Sequence, residues 1–475
     1  MSRRVLVIGG GISGLTTAYF LVRDSREKAE DVDVRVVESS RRAGGTLGSE
    51  EVDGFVFERG PNGFLDGVPE TIDLSRELGL EGDLLESSSQ AKRRYLLKGG
   101  ELRPLPSKPG EFLKTPLLSL KGRLRVLAEC FQPRARSGHE DSVASFGRRR
   151  LGVEATEILL DPLVTGIYGG DVERVSFPSA FPRLAELERK HGSLTKAIWR
   201  RVRQRRRARR NRDGTSGQGD KAAGPLGMGG KLRSFRGGLE TLGRALSEHL
   251  GERLSLKTTV DAVAAAGDSL EVTYRGGDKE VFDSVVVAVP APRAAALFGS
   301  SHPDLCQALD TVPYASVAVL CLGYLRQDIE HALDGYGFLV PRNQGLRTLG
   351  MIWTSSIFPE HAPAGRVSLR VLVGGARDPE VVAKSAEDLL QLVVGEVGEV
   401  LGIRAEPVVQ RVYRYTQGIP QYNVGHAARV QAIEKQRWRV PALYLTGNAY
   451  RGVGLNDCVR ESQRISDDVL RRLCP

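Results

Sequence analysis

The sequence is poor in residues that cross-link or ligate. Among its 475 residues are five cysteines, Cys130, Cys306, Cys321, Cys458 and Cys474, with no CxxC pair and no even framework. That excludes a disulfide scaffold or structural zinc site and points to a reducing, cytoplasmic setting. The seven histidines, His139, His191, His249, His302, His331, His361 and His426, show no metal-ligand spacing, and no Ser/His/Asp set sits in a recognisable nucleophile elbow. No metal and no protein nucleophile are expected. Long apolar runs are missing too: the best, 285–292 and 315–322, are strand-sized, against the ~18 residues a spanning helix needs. Membrane contact is expected to be peripheral at most. Only Met1 to Arg4 precede a strand pattern that opens at Val5, so no targeting leader is expected.

Glycine and basic residues are what the chain has in excess. Its 55 glycines exceed the usual ~7 % and imply many tight turns and close backbone approaches. The 68 Lys and Arg against 58 Asp and Glu leave a net charge of +10, which favours an anionic partner without choosing among nucleic acid, lipid or an acidic small molecule. The length allows two or three domains at ~150 residues each.

The first strong signal is the apolar run Val5-Leu6-Val7-Ile8, followed by Gly9, Gly10, Gly11, Ile12, Ser13 and Gly14 and then by Leu15, Ala18, Tyr19 and Val22 at helical spacing. Strand, glycine turn and helix with G-x-G-x-x-G at Gly9, Gly11 and Gly14 form a dinucleotide-binding fingerprint. A pyrophosphate is expected at the helix N-terminus, where free N–H groups and the dipole favour an anion. A second strand, Val34 to Val37, ends in Glu38, the acidic residue placed for a ribose hydroxyl. Arg42, Gly44 and Gly45 follow, and Gly60, Pro61, Asn62 and Gly63 form a turn whose alternative reading is a plain surface loop. Near the far end, the strand Leu443-Tyr444-Leu445 leads through Gly447 to Val453, Gly454 and Leu455. Ile465, Val469 and Leu473 then mark a helix, with Asn456 or Asp457 the expected N-cap.

These strings, with Thr165 to Asp171, Phe235 to Leu239, Gly335 to Pro341, Ile419-Pro420-Gln421-Tyr422 and Asn456-Asp457-Cys458, resemble the oxygen-dependent protoporphyrinogen oxidases of haem biosynthesis, within the amine-oxidase-like flavoproteins. The resemblance implies an α/β chain: a discontinuous Rossmann-like FAD-binding domain (1–88, 229–297, 438–475), a mixed-sheet substrate domain (89–99, 298–437) and a helical membrane-associating domain (100–228). It implies non-covalent FAD, held by the residues named above together with the backbone of Val260. It also implies oxidation of a porphyrinogen with O₂ as acceptor and H₂O₂ as product. By position, Arg94 matches an arginine that pairs with a substrate propionate, Gly166 lies against the macrocycle, and Tyr336, Leu339, Ile352 and Leu372 wall the pocket. Thr165 stands where some relatives have a basic residue. Protoporphyrinogen IX is placed ahead of coproporphyrinogen III, because four propionates demand more cations than the one that Arg94 supplies. An amine oxidase is the more distant alternative.

Two segments remain. Leu113, Leu117, Leu118 and Leu120, flanked by Lys114, Lys121, Arg123 and Arg125, read either as an interfacial apolar stretch on an anionic membrane, at the inner face of the cell membrane, or as a helical core. The run 189–212 holds twelve Lys or Arg and no acid; lipid headgroups or a solvated loop are the expected readings. With only Trp199 interleaved, nucleic acid is not expected. A homodimer stays open.

Overall fold

The computed structural model describes residues 2–133, 140–197, 200, 203, 230–299 and 301–474. Most of the basic run 189–212 and the segment that follows it lie outside the described residues.

The apolar runs read as strands pair into one parallel five-stranded sheet. Its order is Leu254–Ser255, β2 (Val32–Val37), β1 (Arg3–Ile8), Ser284–Val287 and Leu443–Leu445. Three remote stretches of chain therefore share one sheet. Val5, Leu6, Val7, Val285, Val286 and Val287 are fully buried, as strands covered on both faces must be. α1 (Ile12–Glu27) and the C-terminal helix Leu455–Leu473 pack together on one face, and Ser462 Oγ donates to Ser13 O at 2.9 Å. Residues 254–266 form two strands, Leu254–Ser255 in this sheet and Val260–Ala266 in an antiparallel three-stranded sheet with Ser269–Tyr274 and Lys279–Phe282. Lys257, with φ 55°, turns the chain between them.

A seven-stranded mixed sheet forms the second layer, in the order Val409–Pro420, Tyr314–Leu325, Arg366–Gly374, Thr348–Trp353, Gly335–Leu339, Arg93–Lys98 and Glu101–Pro104. Its inner core face packs on the helix Ala386–Leu401 through Leu389, Val393 and Val397. That helix starts at Ala386, because Ser385 accepts from Asp388 N as its N-cap, and residues Pro379–Ala383 form a separate tight turn before it. Shorter helices, among them Leu120–Leu127, Val143–Arg150 and Asp161–Tyr168, fill the rest. They are tied by the fully buried Arg150, which pairs with Glu129. Among the described residues no helix is long and apolar enough to cross a membrane.

Candidate active site

The glycines of the first turn are required for three different reasons. Gly9 adopts φ +108°, and a Cβ there would lie 2.8 Å from Ala288 O. At Gly14 a Cβ would lie 1.9 Å from Gly9 O, so the helix and strand cannot pack with any side chain between them. Gly11 is different: a Cβ would meet only Gly45 Cα, at 3.9 Å. The space beside it is open, as a bound pyrophosphate requires. Ile12 packs on the core of this layer and Ser13 is buried, so these two position the turn.

Glu38 closes one side of the turn. Its Oε2 accepts from Gly10 N at 2.7 Å, and its Oε1 from Ser40 N at 2.8 Å and Ser40 Oγ at 2.7 Å. Thr258 N donates to Glu38 O at 2.9 Å, which sets Val260 beside the same end. Arg42 spends its fork on the loop itself, donating to Ala43 O, Leu47 O and Gly45 O. Gly44 N donates to Gly10 O at 2.7 Å. Arg42 thus shapes the second wall of the cradle, with Gly45 folded against Gly11.

The Gly60–Gly63 turn is not a plain surface loop. A Cβ at Gly60 would lie 2.1 Å from Thr46 O, and one at Gly63 would lie 2.6 Å from Arg233 O. Asn62 is buried, and neither its Nδ2 nor its Oδ1 has a hydrogen-bond partner among the described residues. A buried amide rarely stays unsatisfied, because desolvation without a partner costs ~1–3 kcal/mol. Just before it, Glu58 is fully enclosed, accepts from Leu239 N at 2.7 Å and Ser49 Oγ at 2.8 Å, and is pushed by burial up to about 7.

The C-terminal helix reaches the same turn: Asn456 Nδ2 donates to Leu65 O at 2.9 Å. Its N-cap is Gly454 rather than Asn456 or Asp457. Asp457 sits at the third helical position and accepts from Gly454 N at 3.3 Å, while Asn456 is turned to the neighbouring strand. Val453 and Gly447 lie on the connecting loop, Gly447 at φ +122° with open space where a Cβ would stand. Leu455 anchors the helix start in the core. The loop is braced by Tyr422, whose hydroxyl donates to Asn448 O and accepts from Gly452 N, both at 2.7 Å.

The six residues assigned to the pocket fall on one continuous surface. Leu339 pairs with Gly350, which pairs with Leu372; Gly337 pairs with Ile352, which pairs with Arg370. Residues two apart on a strand share a face, so Leu339, Leu372 and Ile352 look away from the helix-covered core. A Cβ on Gly166 would lie 2.7 Å from Leu339 Cδ2, which joins helix Asp161–Tyr168 to that face. Tyr336 packs with Ile352, and burial pushes its phenol up to about 12. The exposed Arg94 lies over its ring at 5.1 Å, with no carboxylate in ion-pairing reach among the described residues, whereas Arg93 pairs with Asp334.

Two residues on this surface went unnoticed in the sequence. Arg370 donates to Glu58 O at 3.4 Å and to Gly60 O, on the same face as Leu372. A lone charge inside the apolar strand Arg366–Gly374 was the signal available. Arg377 donates to both oxygens of the buried Asp161 at 3.2 Å and to Thr165 Oγ1 at 3.3 Å. It supplies a cation beside Gly166 where the sequence shows only a threonine.

The open space at Gly11, the folded Gly44–Gly45 loop and the unsatisfied Asn62 amide fit a bound dinucleotide lying from the first turn to the Gly60–Gly63 turn. Residues 12–470 match the family described as flavin containing amine oxidoreductase. The chain belongs to this family. As a flavin-containing amine oxidoreductase it takes FAD, and its relatives place it in the porphyrinogen oxidase group. It is 31 % identical over 481 residues to the coproporphyrinogen III oxidase of Bacillus subtilis (strain 168), covering 99 % of this chain and 98 % of that one. It is 32 % identical over 489 residues to the chloroplastic protoporphyrinogen oxidase of Oryza sativa subsp. japonica, covering 98 % and 89 %. A solved structure from Exiguobacterium sp. 255-15 that carries the protoporphyrinogen oxidase name superposes with TM-score 0.82 at 26 % identity, covering 99 % of both chains. A redesigned putrescine oxidase, at TM-score 0.69 and 17 % identity over 99 % of each chain, shares the fold.

Proposed function

We propose that this oxidoreductase converts a porphyrinogen to its porphyrin with O₂ as acceptor, removing six electrons and six hydrogens in three two-electron steps and releasing three H₂O₂. Bound FAD supplies the two-electron acceptor chemistry. The protein's own part is positioning: the apolar face of Leu339, Ile352, Leu372 and Tyr336 receives a broad flat ring, and Gly166 lets it approach. The observation that carries the reading is Arg94, whose guanidinium rests on Tyr336 with its fork unpaired among the described residues, a geometry suited to a carboxylate.

Between the two porphyrinogens, a full-length relative tilts the order the other way from the sequence. Arg377 beside Gly166 is already paired with Asp161, so the cation count does not decide; the relative from Bacillus subtilis that matches nearly the whole chain carries the coproporphyrinogen III oxidase name. We therefore place coproporphyrinogen III, with its four propionates, ahead of protoporphyrinogen IX. Turnover of both porphyrinogens followed by porphyrin fluorescence tests this. The expected result is a higher kcat/KM for coproporphyrinogen III. A higher value for protoporphyrinogen IX reverses the order, and amine-dependent peroxide without porphyrin formation overturns the reading.

The helical part adds a partner to the proposal, an anionic lipid surface. Helix Leu120–Leu127 is inverted: its buried residue is Gly122, while Leu120, Leu124 and Leu127 are exposed, with Leu113 and Phe131 alongside. Lys114 and Lys121 are exposed around them, so the patch matches a surface that is apolar beneath and negative on top.

A further inference from the structure

Arg370 is placed unlike the other arginines of this layer. Arg42 closes its own loop, Arg59 lies near Glu50 and Arg411 is paired with Glu50. Arg370 has no carboxylate within ion-pairing distance among the described residues, and its bonds go to two main-chain carbonyls, Glu58 O and Gly60 O. Its Nη1 makes no hydrogen bond to a described residue. Glu58 acts on it only through space and makes no ion pair with it: that carboxylate accepts from Leu239 N and Ser49 Oγ at the start of helix Glu240–Leu250. The strand register fixes Arg370 between Ile352 and Cys321, two residues before Leu372. It therefore sits where the pocket face meets the Gly60–Gly63 turn.

A half-buried cation held only by carbonyls is unfavourable on its own, and burial lowers its pKa. The same turn carries the unsatisfied Asn62 amide. Two strongly polar groups, both short of partners and two residues from a shared carbonyl, imply a polar ligand edge that carries negative charge when the site is in use.

We propose that Arg370 is a positioning residue for the bound flavin. It fixes the Gly60 carbonyl, so that Asn62 meets the ring's polar edge, and its guanidinium favours the flavin when reduced and negatively charged. The helix N-terminus at Gly454 acts on the same charge by its dipole, but a dipole is worth less than a full charge in an enclosed site. This inference needs the flavin and does not depend on which substrate is oxidised.

The test is the midpoint potential of the bound flavin in Arg370→Met and Arg370→Lys, with the spectrum of bound FAD as the check on loading. Removing the charge is expected to weaken binding of the reduced form about tenfold more than the oxidised form, which for a two-electron couple lowers the potential by about 30 mV. Arg370→Lys is expected to keep most of the wild-type potential. If both variants hold FAD at an unmoved potential, Arg370 is only a strut for the turn and the inference is overturned. Should the methionine variant shed its flavin, dissociation constants of oxidised and reduced FAD measured on Arg370→Gln decide in the same way. Equal weakening of both forms overturns it, and preferential loss of the reduced form supports it.

Discussion

A methyl group at Gly14 and one at Gly11 meet different surroundings, and the two substitutions separate folding from cofactor binding. At Gly14 the new carbon would overlap Gly9 O at 1.9 Å, so Gly14→Ala is expected to cost several kcal/mol and yield little folded protein, read as a shift from the soluble fraction into inclusion bodies and a lowered Tm. Gly11 already has a backbone conformation open to any residue, φ −74° and ψ 175°, and its Cβ direction is free. Gly11→Val is expected to fold near the Tm of the FAD-free wild type yet purify without yellow colour; a fully loaded variant contradicts the placement of the pyrophosphate. Glu58 offers a pH test. Its folded pKa, about 7, lies above the unfolded value, so the folded state holds a proton that the unfolded state releases. The stability it contributes is present below the unfolded pKa, near 4.3, and is lost as pH rises through about 7. Glu58→Gln keeps an acceptor for Leu239 N and removes this loss. The Tm difference between variant and wild type is expected to grow in the variant's favour from pH 5 to pH 8, corresponding to about 3 kcal/mol at most, since each pKa unit is ~1.4 kcal/mol. A constant difference would show that Glu58 stays ionised throughout.

At the scale of elements, period and punctuation made most of the fold legible. The apolar runs of β1 and 285–292 are repeated local signals, and the strands Arg3–Ile8 and Ser284–Val287 lie where they put them. Boundaries that depend on a single cap were less readable: Ser385 caps its helix through Asp388 N, only three residues on, and Gly454 takes the cap because Asn456 is drawn to Leu65 O, distant in sequence. Site residues followed the same division. Gly11, Asn62 and Glu38 stand in local motifs, whereas Arg370 and Arg377 gain their meaning only from strand register and from helix Asp161–Tyr168 crossing the sheet edge. Tyr422 shows how such a contact works between elements. Its hydroxyl closes the loop that carries Gly447 to Gly454, bridging Asn448 O and Gly452 N, and its ring stacks on His426 at 3.9 Å. Tyr422→Phe keeps the stack and strands both main-chain groups, a loss of ~1–3 kcal/mol. We expect a lower Tm and FAD release several-fold faster than wild type, measured by the recovery of free flavin fluorescence. A variant that retains FAD as wild type does would remove the bridge from the cofactor site.

For the whole molecule, one sheet is built from both ends and the middle of the chain, with β1, Ser284–Val287 and Leu443–Leu445 side by side. The cradle and the pocket face are therefore products of the complete fold, while the patch of Leu113, Leu120, Leu124, Leu127 and Phe131 lies outside it, its apolar surface left uncovered by the described residues. Phe131 is 84 % exposed and Leu120 66 %, so neither contributes much to folding, and both are free to be replaced. Burying three such side chains in a lipid interface is worth ~1.5–3 kcal/mol each at full insertion, and each lysine near an anionic surface adds ~1 kcal/mol. The triple replacement Leu120→Ser, Leu124→Ser and Phe131→Ser is accordingly expected to keep Tm and FAD content and to lower partitioning onto phosphatidylglycerol-containing vesicles at least a hundredfold, all or nearly all of it insensitive to salt. Lys114→Gln with Lys121→Gln should lower it about thirtyfold in dilute buffer and much less in high salt, because exposed charges are screened beyond ~3 Å at 1 M. Sedimentation with vesicles measures both. Equal binding by the serine variant and the wild type would mean that the inverted helix meets something other than lipid.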